Sequence, residues 1–262
     1  MRETPRRARR PLVGVLSFLA TLVVGVTVAQ AAPLLPDLDP AAPGRPRATA
    51  IGGKVYLTFG ATFANVGAGP LVLRGYRSST AEPAMVADQV VKQSDGTEAL
   101  IPGAGGFDYD TEYRRWGFSP YITYELRSTS GALIGTGPNL GFCVIDTSNP
   151  RGVLPGEPPS PVYTESASCG KNAPSRLSVE EGISVGYANT HAAGKKGQLI
   201  DITALPSGRY LLVHRVNAAG LLTEASTQNN ASSALVEITW ISGQTLPSVR
   251  TVRSCASSET CS

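Results

Sequence analysis

Histidine is nearly absent from this chain. Its 262 residues hold two, His191 and His214. That excludes a site built from three imidazoles, as in many catalytic zinc and copper centres. No G-x-S-x-G elbow is present, and no G-x-x-x-x-G-K-[ST] or G-x-G-x-x-G loop. Serine hydrolases of the elbow type and the common phosphate-cradling folds are therefore set aside. The four cysteines contain no C-x-x-C spacing, which argues against a zinc knuckle or a thioredoxin-like motif. Beyond the N-terminal segment, no stretch longer than about ten residues carries a helical period. No internal repeat recurs at a fixed interval.

What is there begins with an export signal. Arg2, Arg6, Arg7, Arg9 and Arg10 form a basic region, Pro11–Val28 is apolar and uncharged, and Ala29-Gln30-Ala31 is a small-x-small cleavage site. Residues 1–31 read as a signal peptide cut before Ala32; the alternative is a retained anchor, since the apolar run approaches the ~20 residues that span a bilayer. The segment holds five Arg and one Glu, a charge of +4. The whole chain is +3, which leaves −1 for residues 32–262. A nearly neutral protein carries no electrostatic footprint for nucleic acid or for an anionic membrane. The expected location is secreted, where cysteines pair. Four cysteines allow three pairings; Cys143–Cys169 and Cys255–Cys261 are favoured because each closes a loop within one region.

Residues 32–50, rich in Pro and Ala, read as an extended lead-in. From there the pattern is β. Strands are expected near Val55–Phe63, Leu71–Leu73, Val86–Val91, Tyr121–Leu126, Gly141–Asp146, Leu199–Thr203, Arg209–Val216 and Ala234–Trp240, with a hairpin at Asp95-Gly96. Residues 148–176 are rich in Pro, Ser and Gly and form a long loop, of the kind that is often functional or mobile. Residues 242–262 read as a polar tail, loose apart from its cysteines. The fold class is all-β: one β-sandwich domain with long loops over residues 51–241, preceded by the signal peptide.

Chemistry-bearing residues are few. Asp108, Asp110 and Glu112 would share one face of an extended strand. Three acids without a calcium-loop pattern more often mark a solvated strand edge. His214 lies inside a strand pattern and reads as structural. His191 stands near a glycine-rich turn.

In order, several blocks resemble the lysyl oxidase family. They are Pro33-Leu-Leu-Pro-Asp-Leu-Asp39, Phe63-Ala-Asn-Val-Gly-Ala-Gly-Pro-Leu71, Tyr124-Glu-Leu-Arg127, Gly141-Phe-Cys-Val-Ile-Asp146, Gly182-Ile-Ser-Val-Gly186, Gln198-Leu-Ile-Asp-Ile-Thr203 and Leu205-Pro-Ser-Gly-Arg-Tyr210, then Val216-Asn217, Glu224 and Asn229-Asn230. The resemblance implies a secreted copper amine oxidase that turns peptidyl lysine or small primary amines into aldehydes with a lysine tyrosylquinone. It also implies a copper motif His-x-x-His-x-His-x-His, whose last three histidines hold the metal. Those four positions fall on Asp110, Tyr113, Arg115 and Gly117. The cofactor's lysine and tyrosine fall on Asn139 and His191. No position keeps the family's residue.

The expectation is therefore a lysyl-oxidase-like pseudoenzyme, with neither copper nor quinone, acting as an extracellular binding or structural module. Its partner would be an extracellular protein or cell-surface ligand, with no nucleic acid and no membrane after signal cleavage. The alternative is a related enzyme with an altered metal site at Asp110, Glu112, Tyr113 and His191. A third reading is a subunit that associates with an active relative.

Overall fold

A computed structural model describes Met1 and residues 31–138, 141–150 and 152–262. Residues 2–30 of the signal segment, and Asn139, lie outside the described residues. Ala31–Ser262 form one compact unit. It contains no α-helix among the described residues, only a single turn of 3₁₀-helix at Lys196–Gln198.

Sixteen strands run in chain order: β1 (Pro33–Leu34), β2 (Leu38–Pro40), β3 (Gly44–Ile51), β4 (Lys54–Asn65), β5 (Leu71–Tyr76), β6 (Ala84–Gln93), β7 (Glu98–Asp110), β8 (Arg115–Ser119), β9 (Ile122–Ser128), β10 (Leu133–Thr136), β11 (Ser178–Ile183), β12 (Ala188–His191), β13 (Leu199–Asp201), β14 (Gly208–Val216), β15 (Ala231–Thr239) and β16 (Ser248–Cys255). One sheet is ordered β11-β5-β6-β7-β8, with β1 also on β6. A second is ordered β10-β9-β14-β15-β16. In the third, β4 is flanked by β12 and β13 on one path and pairs with β2 and β3 as well. All pairings are antiparallel.

The 12-residue strand β4 is central because its sequence alternates. Leu57, Phe59, Ala61 and Phe63 all enter the main core. There Phe59 meets Tyr124 edge-on at 5.0 Å, and Phe63 meets Tyr121 at 5.4 Å. Such pairs add to the area they bury. Gly52 and Gly53 join β3 to β4 with φ of +58° and +80°, the two left-handed residues a tight hairpin needs. The Asp95-Gly96 hairpin forms as expected, with the Gln93 N–H donating to Thr97 O between β6 and β7.

Two expectations need correction. Gly141–Asp146 is not a regular strand; its ladder contact is an isolated bridge from Phe142 to Phe118. Residues 242–262 are not loose. They supply β16, which pairs with β15, and Cys261 folds back on Leu211, Val213 and Leu235. Polarity hid this strand, because β16 is an edge strand exposed along most of its length. The lead-in also joins the sheets, as β1, β2 and β3.

The 148–176 loop has no ladder of its own, yet it is tied down. Cys169 is bonded to Cys143, and Cys261 to Cys255, the two favoured pairings. The Arg77 guanidinium donates to the carbonyls of Pro174, Arg176 and Glu82 and lies over the Trp116 ring at 4.7 Å. The Asp146 carboxylate accepts the N–H groups of Val162, Tyr163 and Ser184.

Candidate functional site

The β7–β8 hairpin sets Asp110 opposite Arg115. Asp110 Oδ1 accepts the backbone N–H of Glu112 at 2.8 Å and of Tyr113 at 2.9 Å. This is the local turn that short acidic side chains favour, and it projects Tyr113 and Arg115 to one side. The Arg115 guanidinium lies 5.2 Å from the Tyr113 ring centre and donates to Glu165 at 3.0 Å. From the other side, β12 ends at His191. The next turn brings Lys195 Nζ to 5.0 Å from the same Tyr113 ring. Asp110, Tyr113, Arg115, His191 and Lys195, closed off by Gly141, Phe142 and Gly197, line a pocket of about 10 Å³. That is room for about one water.

His191 is the most unusual group there. It is buried, its ring packs against Phe142 at 4.4 Å, and its Nε2 has no hydrogen-bond partner. Burial first, then the positive charge of Arg115, with smaller effects from His214 and Lys195, pulls its pKa down to about 3. It is therefore neutral at physiological pH. His214, on β14, is fully buried; burial lowers its pKa to about 4, and Nδ1 lies 3.2 Å from Ala41 O. Its structural reading agrees with that setting.

Four of the six positions singled out from the resemblance thus meet in one pocket. Gly117 does not offer a side chain to it, and nothing larger fits. A Cβ there would come within 2.9 Å of the Gly141 carbonyl carbon and oxygen, while one on Gly141 would lie 2.6 Å from Gly117 O. The two backbones touch. Asn139 lies outside the described residues. Glu112 is exposed and does not line the pocket; the expected common face of Asp108, Asp110 and Glu112 fails because β7 ends at Asp110 and Glu112 sits in the turn.

This donor set does not fit divalent copper. Arg115 has no lone pair to give, Lys195 adds a second cation, and Gly117 is closed by backbone. The position that the resemblance assigns to the quinone's tyrosine holds the His191 imidazole, packed on Phe142. Lys195 and Gly197 were not singled out from the sequence. Their only signal is the Gly194-Lys195-Lys196-Gly197 turn directly after His191.

Among the described residues, one cluster has metal-ligand spacing: Cys143, Cys169 and Glu181, whose ligand atoms lie within 4.8 Å of one another. Its sulfurs are already joined to each other. Glu181 Oε2 accepts the Val144 N–H at 2.7 Å and Oε1 has no partner. Burial pushes this carboxyl well above its ordinary range.

The remaining blocks of the resemblance build a frame. Glu224 accepts the N–H of Leu38 and the amides of Asn217 and Asn230, at 2.7, 2.7 and 2.8 Å. Asn229 donates to Asp37 at 2.8 Å. These bonds fasten the N-terminal lead-in to the segment between β14 and β15, whose sequence alone gives no hint of the partner.

No curated protein matches the chain. The lysyl oxidase family model matches residues 110–245, from the pocket's first residue to the end of the second sheet's fourth strand and beyond. With that match covering more than half of its length, the chain belongs to the lysyl oxidase family.

Proposed function

We propose that this is a secreted lysyl-oxidase-like protein without amine oxidase activity, whose scaffold serves as an extracellular binding or structural module. The observation that carries the reading is the composition of the pocket. Where the resemblance calls for three metal-holding imidazoles, the chain has the phenol of Tyr113, the guanidinium of Arg115 and a glycine closed against Gly141. Three hydrogen bonds still converge on the Glu224 carboxylate beside it. Secretion rests on the signal-like residues 1–31 and on two disulfides, which persist in oxidising compartments. No helix among the described residues is long and apolar enough to cross a membrane. The partner is an extracellular protein or cell-surface ligand.

The test is peroxide release by the purified protein, with and without added copper, from lysine-rich protein and from small primary amines. The expected rate equals the protein-free blank. Copper-dependent peroxide overturns the proposal.

One observation favours a second reading. Asp110, Tyr113 and His191 share the pocket, and His191 Nε2 is unpartnered. A related enzyme with an altered metal site would use these three. Two cations in the same pocket oppose a bound divalent ion. Metal analysis of the purified protein decides: near-stoichiometric metal, lost in His191→Leu, favours the enzyme.

A further inference from the structure

His191 also borders a second recess, of about 540 Å³, where β3, β4 and the end of β12 lie side by side. Its size falls within the range of small-molecule sites. Gly44 and Gly60 keep it open. A Cβ on Gly44 would meet nothing within 4 Å, and one on Gly60 would reach only carbonyl oxygens at 3.6 Å.

Its charge is one-sided. Arg45 and Arg47 line the recess, and no acidic residue does. Elsewhere on the sheets and loops, Arg74, Arg115, Arg127, Arg209, Arg215 and Arg250 each pair with a glutamate. Arg45 and Arg47 make no ion pair among the described residues. Arg47 Nη2 instead reaches Ala193 O at 3.5 Å, across β4 from its own strand, so its guanidinium spans the recess. Arg45 sits in the left-handed region, at φ +49°, where the register between β3 and β4 slips. A non-glycine residue in that region carries backbone strain, which clusters at functional sites. Thr62 and Thr190, whose hydroxyls lie 3.0 Å apart, also line it.

We propose that this recess binds a small oxyanion, a compact carboxylate, sulfate or phosphate held by the guanidinium forks of Arg45 and Arg47 with hydroxyl support from Thr62 and Thr190. Two arginine forks without competing acids match the planar oxygens of such groups. The volume suits a small molecule and is too small for a folded partner. The inference deepens the binding-module reading by naming a ligand class, and it rests on that reading.

The experiment is calorimetric titration of the full exported chain, at low ionic strength, with succinate, inorganic sulfate and inorganic phosphate in separate arms. The expected result is saturable binding of at least one probe, and the tightest arm identifies the oxyanion. Arg45→Gln and Arg47→Gln should each weaken it about tenfold, the worth of one charge-assisted hydrogen bond. Arg47→Lys should fall nearly as far, because it keeps the charge and loses the fork. Arg250→Gln, on β16, should leave binding unchanged. Absence of saturable binding in every arm overturns the proposal. So does equal weakening by Arg250→Gln, which would mean general charge attraction. Peroxide release, by contrast, overturns the module reading and leaves the titration to be judged by its own arms.

Discussion

Two polar clusters of this molecule differ in how their central side chain is bonded. Around Glu224, both carboxylate oxygens are occupied by three donors from distant segments. Around His191, a buried nitrogen has no partner, two cations crowd one pocket, and two glycine backbones close the rest. A buried polar group without a partner costs free energy that a satisfied one does not. The first cluster holds the fold together. The second is tolerated by the fold and contributes little to it.

The contrast can be broken from the framework side first. Glu224→Ala leaves the Leu38 N–H and two asparagine amides without their acceptor, and should destabilise by about 3 kcal/mol or more. His191→Leu removes an unpartnered nitrogen from an apolar ring contact and should stay within about 1 kcal/mol of the parent. Urea unfolding midpoints of the two variants check the difference; equal losses would erase the distinction. Next in size is Gly117→Ala, which drives a Cβ into the Gly141 backbone and should cost about 2 kcal/mol. A thermal midpoint unchanged from the parent would mean that the two backbones are not in contact.

Protonation sharpens the comparison further. His191 and His214 have folded pKa values near 3 and 4, below the unfolded value of 6.5. Below pH 6.5 the unfolded chain therefore binds more protons than the folded one. Stability should fall as pH drops from 6.5 toward about 4, by up to about 1.4 kcal/mol per pH unit for each histidine. Replacing His214 with Gln should flatten that slope in denaturant titrations at stepped pH. Glu181 has the opposite sign. Its folded pKa is raised above 4.5 by burial, so the folded state loses stability as pH rises beyond 4.5. The advantage of Glu181→Gln over the parent should grow from pH 4.5 toward neutrality, and a constant difference would show that the carboxyl is not held neutral. This is the smallest of the expected effects near pH 4.5, where both forms are uncharged in the fold.

Much of the fold could be read in one dimension. Alternation in Val55–Phe63 marks β4, and Asp95-Gly96 marks the hairpin. β16 escaped because its residues are mostly exposed, so no apolar period announces it. Gly141–Asp146 looked like a strand from its apolar residues; in place it is a buried crossing segment, with Phe142 bridging Phe118 and Val144 O accepting the Gly182 N–H. For the site, Asp110, Tyr113, Arg115 and His191 were found by resemblance. Lys195 was not, because its role arises only when the turn after β12 meets the β7–β8 hairpin.

By itself, the sequence determined what chemistry is absent. Two histidines cannot supply a three-imidazole metal site wherever the chain places them, because composition does not depend on conformation. It also determined the β class, through alternation and turn residues. Tertiary structure decided what surrounds the positions that the resemblance assigns to the site. That Gly117 is closed by Gly141, that Arg115 and Lys195 flank one tyrosine, and that Arg45 and Arg47 share a recess without acids are contacts between segments far apart in sequence. Spacing along the chain carries no record of such distances; they arise when strands pair and loops pack over the core.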